Sequence, residues 1–339
     1  MRGKIRPRQA VFLLLLALAL PSWFVGLLRL PNPKLGTRLV PYAQVGNPLL
    51  LEASGLVQSQ TSPDLFWSHN DSGDLPRFFA LEATGRTPQK LSGYQGFTLV
   101  GAANVDWEDI AASGDKLYLC DVGNNLNRRR DLGVYEVTEP ARWDSHQVAV
   151  SRFLPLRYPD QTRFPPLGPW DFDCEAVFVR QDKLYFVTKC RPAFRLGVQA
   201  ERATLYRLDT EHTDRENVLT RVDQVDGLGG WVTSADTSRD GRYLAILVES
   251  PEQSVWLYER PAEGDRFFSQ AASVRRHVFH GGGQLEALAF RQTPEGSEEI
   301  LLLNEARELF RLSLSDFAPA LNPIHKSTGN DHAEPNSER

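Results

Sequence analysis

The feature that most constrains the fold is a unit that recurs five times along the chain. Each unit opens with an acidic residue beside a short, often Ala-rich segment, continues into a strongly apolar strand and ends in a strand carrying an aromatic residue. The openings read LEASGLV, DWEDIAA, DCEAVFV, TSADTSR and QLEALAF, and their acids are Glu52, Glu108, Glu175, Asp236 and Glu286. The second segments are DLFWSHN, KLYLCDV, KLYFVTK, RYLAILV and EILLLNE; the third are RFFALEA, GVYEVTE, TLYRLDT, VWLYERP and ELFRLSL. The acids are spaced by 56, 67, 61 and 50 residues.

Short strands rich in β-branched and aromatic residues, separated by Gly, Asp, Asn and Pro, predict an all-β protein. Three clear strands per unit, with room for a fourth, match the size of a β-propeller blade. The spacing predicts five blades, with a sixth, degenerate blade inside the 108–175 or 175–236 interval as the alternative. Fourth strands are expected at 148–154, 218–222 and 274–279. The last unit has little sequence left for one. Tyr42-Ala43-Gln44-Val45, ahead of the first opening, is placed to supply it and close the ring.

The chain of 339 residues is 41% hydrophobic and 24% charged, enough for one sizeable core. A net charge of −5 and a pI near 5.9 provide no basic field for a phosphate backbone, which argues against nucleic acid as a partner. Four Lys/Arg in residues 1–9 precede a run free of charge from Ala10 to Leu28. At about 1.5 Å per residue that run nearly crosses a hydrocarbon core of about 30 Å. It lacks a small-residue cleavage site, so a signal anchor is expected, with a cleaved signal peptide as the alternative. The organisation expected is a cytoplasmic segment 1–9, an anchor 10–30, a linker 31–41, a propeller 42–315 and a disordered tail 316–339. The basic end then lies inside, and the propeller lies in the periplasm or outside the cell, held at a bacterial inner membrane. In the alternative the protein is secreted.

Export permits one disulfide, and the pair expected is Cys174 with Cys190. They flank a hairpin, and a three-residue Gln181-Asp182-Lys183 loop would set them opposite each other. Two buried thiols are the other reading.

In a propeller the first strand of each blade lines the central axis. Equivalent acids would therefore ring one channel mouth, so Glu52, Glu108, Glu175, Asp236 and Glu286 are the candidate metal ligands. Like charges that close are relieved by raised pKa values, basic partners, backbone donors or a bound cation. Alternatively, each acid caps the loop entering its own strand. Oxygen ligands favour Ca²⁺ over Zn²⁺. The second strands end on the same face with His69, Asn70, Asp71, Asn124, Lys189 and Glu305, which together with Arg128 are candidates for binding a small polar or anionic ligand. There is no G-x-S-x-G, H-E-x-x-H or P-loop motif. If the protein is an enzyme, Glu108, Asp121 and Glu175 are the candidate catalytic residues, because they come from adjacent units that align without a gap.

The combination EASGL, HNDSGD, DWEDIA, DVGNN, DCEA, VTK and LEAL resembles a set of bacterial propeller proteins of uncharacterised activity, over roughly residues 50–310. That set carries THNDSGD, DWE-IA, DIGDN and DAEA in the same order. More distantly the chain is similar to β-propeller phytases and esterase-like propellers. In the phytases an acidic channel face holds calcium that binds substrate phosphate. The chain departs from the closer set at Asn124, where DVGNN stands in place of DIGDN and one carboxylate is lost. Three functions follow as expectations: a tethered binding or scaffold module for a divalent cation or small polar ligand; a metal-dependent phosphoester or ester hydrolase; or a propeller that binds a protein partner, with purely structural acids.

Overall fold

A computed structural model describes residues 36–320, apart from 89–93, 142–144, 194–199 and 294. The predicted cytoplasmic segment and anchor, and the tail beyond 320, lie outside the described residues. Among the described residues no helix is long and apolar enough to cross a membrane.

The strands assemble into five sheets, each built on an antiparallel blade of four strands. From the axis outward, blade one is Ala53–Gln58, Leu65–Asn70, Arg77–Glu82 and Phe97–Val100. Blade two is Trp107–Ser113, Lys116–Asp121, Gly133–Thr138 and Arg152–Arg157. Blade three is Trp170–Arg180, Lys183–Arg191, Ala200–Arg207 and Thr220–Val225. Blade four is Gly230–Thr237, Tyr243–Pro251, Gln253–Glu259 and Val274–His280. Blade five is Leu285–Gln292, Glu298–Asn304 and Glu308–Ser313, completed on its outer edge by Ala43–Gln44. The inner strands pack in sequence around the axis, and the fifth returns to the first. The protein is a five-bladed β-propeller.

The packing explains why the repeat must close. The apolar residues divide into five clusters, each between two neighbouring blades. Trp67, Phe78 and Phe97 of blade one meet Ile110, Leu117 and Val137 of blade two, for example. The last cluster joins Leu301, Leu303 and Leu309 of blade five to Leu56, Phe66 and Phe79 of blade one. A blade with a neighbour on one side only would leave such a face in water, at about 25 cal/mol per Å² of apolar surface. Closure comes from the N-terminal side as the sequence predicts, with Ala43 opposite Leu309 and Gln44 opposite Glu308.

Chain segments crossing between blades also cover outer edges that would otherwise expose unpaired backbone. This divides two of the expected fourth strands. Gln147–Ala149 runs parallel to the edge of blade one, and the outer strand of blade two begins at Arg152. Asn217–Val218 lies parallel to the edge of blade two, and Thr220–Val225 belongs to blade three. Thr37–Arg38 and Ala318–Pro319 both pair with the outer strand of blade four. The disorder expected from residue 316 therefore does not extend to 316–320, where Phe317 is buried and the chain is paired.

The expected disulfide is also corrected: all three cysteines are free and buried. The hairpin turn has two residues, Gln181 and Asp182, both at positive φ (51° and 59°), between the paired Arg180 and Lys183. That is the geometry of a tight β-hairpin. A bulge between Cys174 and Ala176 shifts the register once more, so Cys174 faces Thr188. Cys190 lies farther along and accepts a hydrogen bond from the Arg202 guanidinium.

Candidate functional site

Each inner strand carries a register shift near its start, at 53/56, 107/109, 174/176, 232/234 and 285/287. A bulge places an extra residue against its partner strand and re-aims its side chain. The residues at this position are Ser54, Glu108, Glu175, Thr233 and Glu286. The five acids aligned in the sequence are therefore not equivalent in the fold. Glu52 stands outside the strand and is exposed, whereas Asp236 sits near the other end of its inner strand. In blades one and four the bulge hydroxyls serve the next blade. Ser54 Oγ donates to the Glu108 carbonyl at 2.6 Å, and Thr233 Oγ1 to the Leu285 carbonyl at 3.0 Å.

What converges at this mouth is a carboxylate cluster centred on Glu108. Ligand oxygens of Asp71, Asp106 and Glu108 lie within 4.8 Å of one another, as do those of Glu108, Asp173 and Glu175. Glu108 belongs to both groups. The turn after the second strand of blade one delivers Asp71, and Asn104 fixes it by donating to the Asp71 carbonyl at 2.9 Å. Asp106 is held through its backbone, whose N–H donates to Asp121 Oδ1 at 3.1 Å and whose carbonyl accepts from Gly123 N–H at 3.0 Å. Gly123 packs directly on the Glu108 and Asp106 carboxylates, so a side chain there would fill the space between them.

The two groups differ in charge balance. Lys189 Nζ contacts Glu175 and lies 3.5 Å from Asp173 Oδ2, and Arg191 Nη2 lies 2.9 Å from the same oxygen. Both cations face the Trp231 ring, at 5.6 and 4.9 Å from its centroid. No described basic side chain makes an ion pair with Asp71, Asp106 or Glu108. Burial, then the charges of Asp71 and Asp173, push Asp106 up to about 7. Burial, then Glu175, Asp71 and Asp106, hold Glu108 well above the usual carboxylate range. Burial raises Asp71 as well. Glu175 is pushed up to about 8 by burial, against the opposing pull of Lys189. Glu286 is raised by burial and by Glu175, Glu249 and Glu305.

Of the remaining sequence candidates, all but Arg128 have structural partners. Asn70 Oδ1 accepts from the Leu51 and Glu52 N–H groups, and its amide donates to Leu49 O and Asp74. Asp121 caps Val105 and Asp106 and pairs with Arg129 at 2.7 Å. Asn124 bonds Asp173, Phe172 and Arg129. The second-strand ends of blades one and two thus do the capping that the inner-strand acids might have done. His69 is fully buried against Trp107, and burial lowers it to about 4. Arg128 is exposed, while its neighbour Arg129 makes the buried contact. Glu305 is contacted by Gln284. Sequence reasoning missed Asp106 and Asp173 as site residues, although each precedes its bulge glutamate by two positions, in DWE and DCE.

No protein-family model matches the chain, and no curated protein matches it. Solved structures with a similar layout include a proposed 6-phosphogluconolactonase from Bacteroides uniformis, at 12% identity over 85% of this chain and 89% of that one, TM-score 0.37. A gluconolactonase from Xanthomonas campestris has 13% identity over 87% and 90%, TM-score 0.38. A chain of the mitotic checkpoint complex has 9% identity over 85% and 97%, TM-score 0.39. All three lie below the similarity at which an activity could be transferred.

Proposed function

We propose that this propeller binds a divalent cation through Asp71, Asp106 and Glu108 at the channel mouth. The observation that carries the reading is their mutual approach within 4.8 Å without an ion pair to a described basic side chain, beside a second carboxylate pair that Lys189 and Arg191 contact directly. Three oxygen donors suit Ca²⁺ or Mg²⁺ better than Zn²⁺. Gly123 leaves the space between two of them open. The apolar run of residues 10–28 supports an exported, membrane-tethered protein. Extracellular modules hold calcium at about 10⁻⁴–10⁻³ M, and a site of this kind needs no tighter binding.

Calorimetric titration of the full-length chain with Ca²⁺ and with Mg²⁺ tests this directly. Saturable binding is expected, with a rise in Tm that a chelator reverses and that Asp106→Asn with Glu108→Gln abolishes. An unchanged Tm at millimolar calcium, together with no binding heat, defeats the reading.

A hydrolase is the second reading, favoured by a buried carboxyl group outside the three proposed cation ligands, Glu175, which burial pushes up to about 8. A bound cation would polarise an ester or phosphoester oxygen. Within the chain, Glu175 would take and return the proton, and Lys189 would fix its carboxylate. Turnover of a generic ester, lactone or phosphoester that is lost in Glu175→Gln is the expected result. Turnover unaffected by that change removes Glu175 from the chemistry.

A further inference from the structure

The opposite mouth of the channel holds a cavity of about 440 Å³, distinct from the carboxylate cluster. The far ends of all five inner strands line it, from Val57–Gln60 in blade one to Phe290 and Gln292 in blade five. A volume of that order suits a small-molecule ligand. Its walls are fixed by side-chain amides bonded to backbone. Gln58 Oε1 accepts from Gln292 N–H at 3.0 Å and its amide donates to Pro63 O. Gln60 donates to Ala112 O at 3.0 Å and accepts from Gly114 N–H at 2.8 Å.

Four carboxylates and three guanidiniums line this mouth. The carboxylates already have donors: Asp236 accepts from Phe290 and Thr237 N–H, Asp240 from Ser238 Oγ and Arg242 N–H, Asp182 from Ser113 Oγ, and Glu298 from Arg239 N–H. Three guanidiniums, Arg180, Arg239 and Arg260, also line the cavity, and none makes a salt bridge to a described residue. Arg239 reaches the Gln292 side-chain oxygen at 3.3 Å, whereas Arg180 is engaged elsewhere, on the Gln181 oxygen at 3.2 Å and over the Phe267 ring at 5.6 Å. Guanidinium groups recognise carboxylate and phosphate through paired N–H donors. Beyond those bonds, Gln60 keeps a second amide N–H and Ser113 its hydroxyl lone pairs, which suit a ligand that is itself rich in hydroxyl groups.

We propose that this second mouth is a binding site for a small hydroxylated anion of sugar-acid type, its charged group received by Arg239 and Arg260. The site is independent of the cation cluster, because it shares no residue with it. The probe is D-glucuronate, titrated into the full-length chain by ligand-observed NMR and calorimetry. D-glucose supplies the hydroxyls without the charge, and acetate the charge without the hydroxyls. Glucuronate is expected to bind at least about tenfold more tightly than either. Arg239→Ala with Arg260→Ala, both exposed and so compatible with folding, should lower its affinity by about the same factor. Glu108→Gln should leave that affinity unchanged. Absence of glucuronate binding, an affinity no better than that of glucose or acetate, or an affinity indifferent to the double substitution would overturn the proposal.

Discussion

Asp109 Oδ2 in blade two lies 3.4 Å from Ser234 Oγ in blade four, across an intervening blade. The same carboxylate oxygen accepts the Val177 N–H of blade three at 2.8 Å, and Ser234 Oγ accepts the Leu288 N–H of blade five at 3.1 Å. Asp109 Oδ1 accepts its neighbour Ile110 N–H at 2.9 Å. One carboxyl and one hydroxyl therefore tie together four of the five inner strands. Blade one contributes space instead of a side chain. Gly55 has φ +77°, and a Cβ there would stand 2.9 Å from Ile110 N and 3.0 Å from Asp109 Cα.

Replacing Asp109 by Ala leaves two fully buried N–H groups, on Val177 and Ile110, without their acceptor. Each such loss costs about 1–3 kcal/mol, so a destabilisation of about 2–5 kcal/mol is expected in urea unfolding. Asp109→Asn keeps one oxygen in place and should cost clearly less. Equal losses for the two variants would show that packing, and not the hydrogen bonds, is what the side chain provides.

Asp236 makes a pH prediction. Burial pushes its carboxyl up to about 7, despite the N–H groups of Phe290 and Thr237 that favour its charged form. Because the folded pKa lies above the ordinary value of 3.8, folding favours the protonated group. That contribution is fully present below about 4 and fades as the pH rises to about 7. Asp236→Asn does not titrate, so its stability relative to the parent should improve steadily from pH 4 to pH 7 and level off above. Unfolding midpoints measured in parallel across that range, in chelator, check it. A difference that stays constant with pH would mean that Asp236 is already ionised in the folded protein.

The blade count and the closing strand were legible because both rest on periodicity. Leu119, Phe186, Ile246 and Leu302 fall at matching places in the second strands, and an unfilled blade five explains Tyr42–Val45. The site was less legible, for one physical reason. A bulge inserts a residue that period-2 reading does not register, so aligning acids selected Glu52 and Asp236 where the fold uses Ser54 and Thr233. Asp106 and Asp173 escaped notice because the repeat directed attention to single acids instead of D-x-E pairs. The same bulge, with the two-residue turn at Gln181-Asp182, moved Cys174 out of register with Cys190. Alkylation of the unreduced, denatured protein should accordingly modify all three cysteines, and a reductant should leave Tm unchanged.

Lys189 separates structural charge from surface charge. Its ammonium contacts Glu175 and lies 3.5 Å from Asp173, and although burial opposes its charge, those two carboxylates hold its pKa above the usual lysine value. Lys189→Met keeps most of the apolar stem over Trp231 but leaves two buried carboxylates with one fewer cation. Removing one partner of a buried pair costs about 3–5 kcal/mol. Arg128→Ala, on an exposed side chain without such a partner, should stay within about 0.5 kcal/mol of the parent. Because the loss in Lys189→Met comes from uncompensated carboxylates, millimolar Ca²⁺ should recover part of it. A loss that calcium does not touch would separate the Asp173–Glu175 pair electrostatically from the Glu108 cluster.

The closing strand gives the last prediction. Ala43 pairs with Leu309 and Gln44 with Glu308, Tyr42 N–H donates to Leu309 O at 2.9 Å, Val45 N–H donates to Arg307 O at 2.8 Å, and Val45 packs among Leu50, Phe66 and Leu309. Ahead of it, Leu39 N–H donates to His280 O at 2.9 Å and anchors the chain on blade four. A chain begun at residue 36 keeps all of these contacts and should melt with the full-length protein's described domain. A chain begun at residue 46 exposes the edge of blade five and uncovers the cluster between blades five and one. Several lost backbone hydrogen bonds, at about 1 kcal/mol each, and the buried Val45 together predict a fall in Tm of roughly 10 °C or more, with association through the bare edge. A synthetic peptide spanning residues 37–47, added to that shortened chain, should restore part of the lost stability by pairing again with Glu308–Ser313. If the peptide has no effect while the shortened chain remains folded, closure in this propeller rests on the blade-to-blade packing and not on the shared sheet.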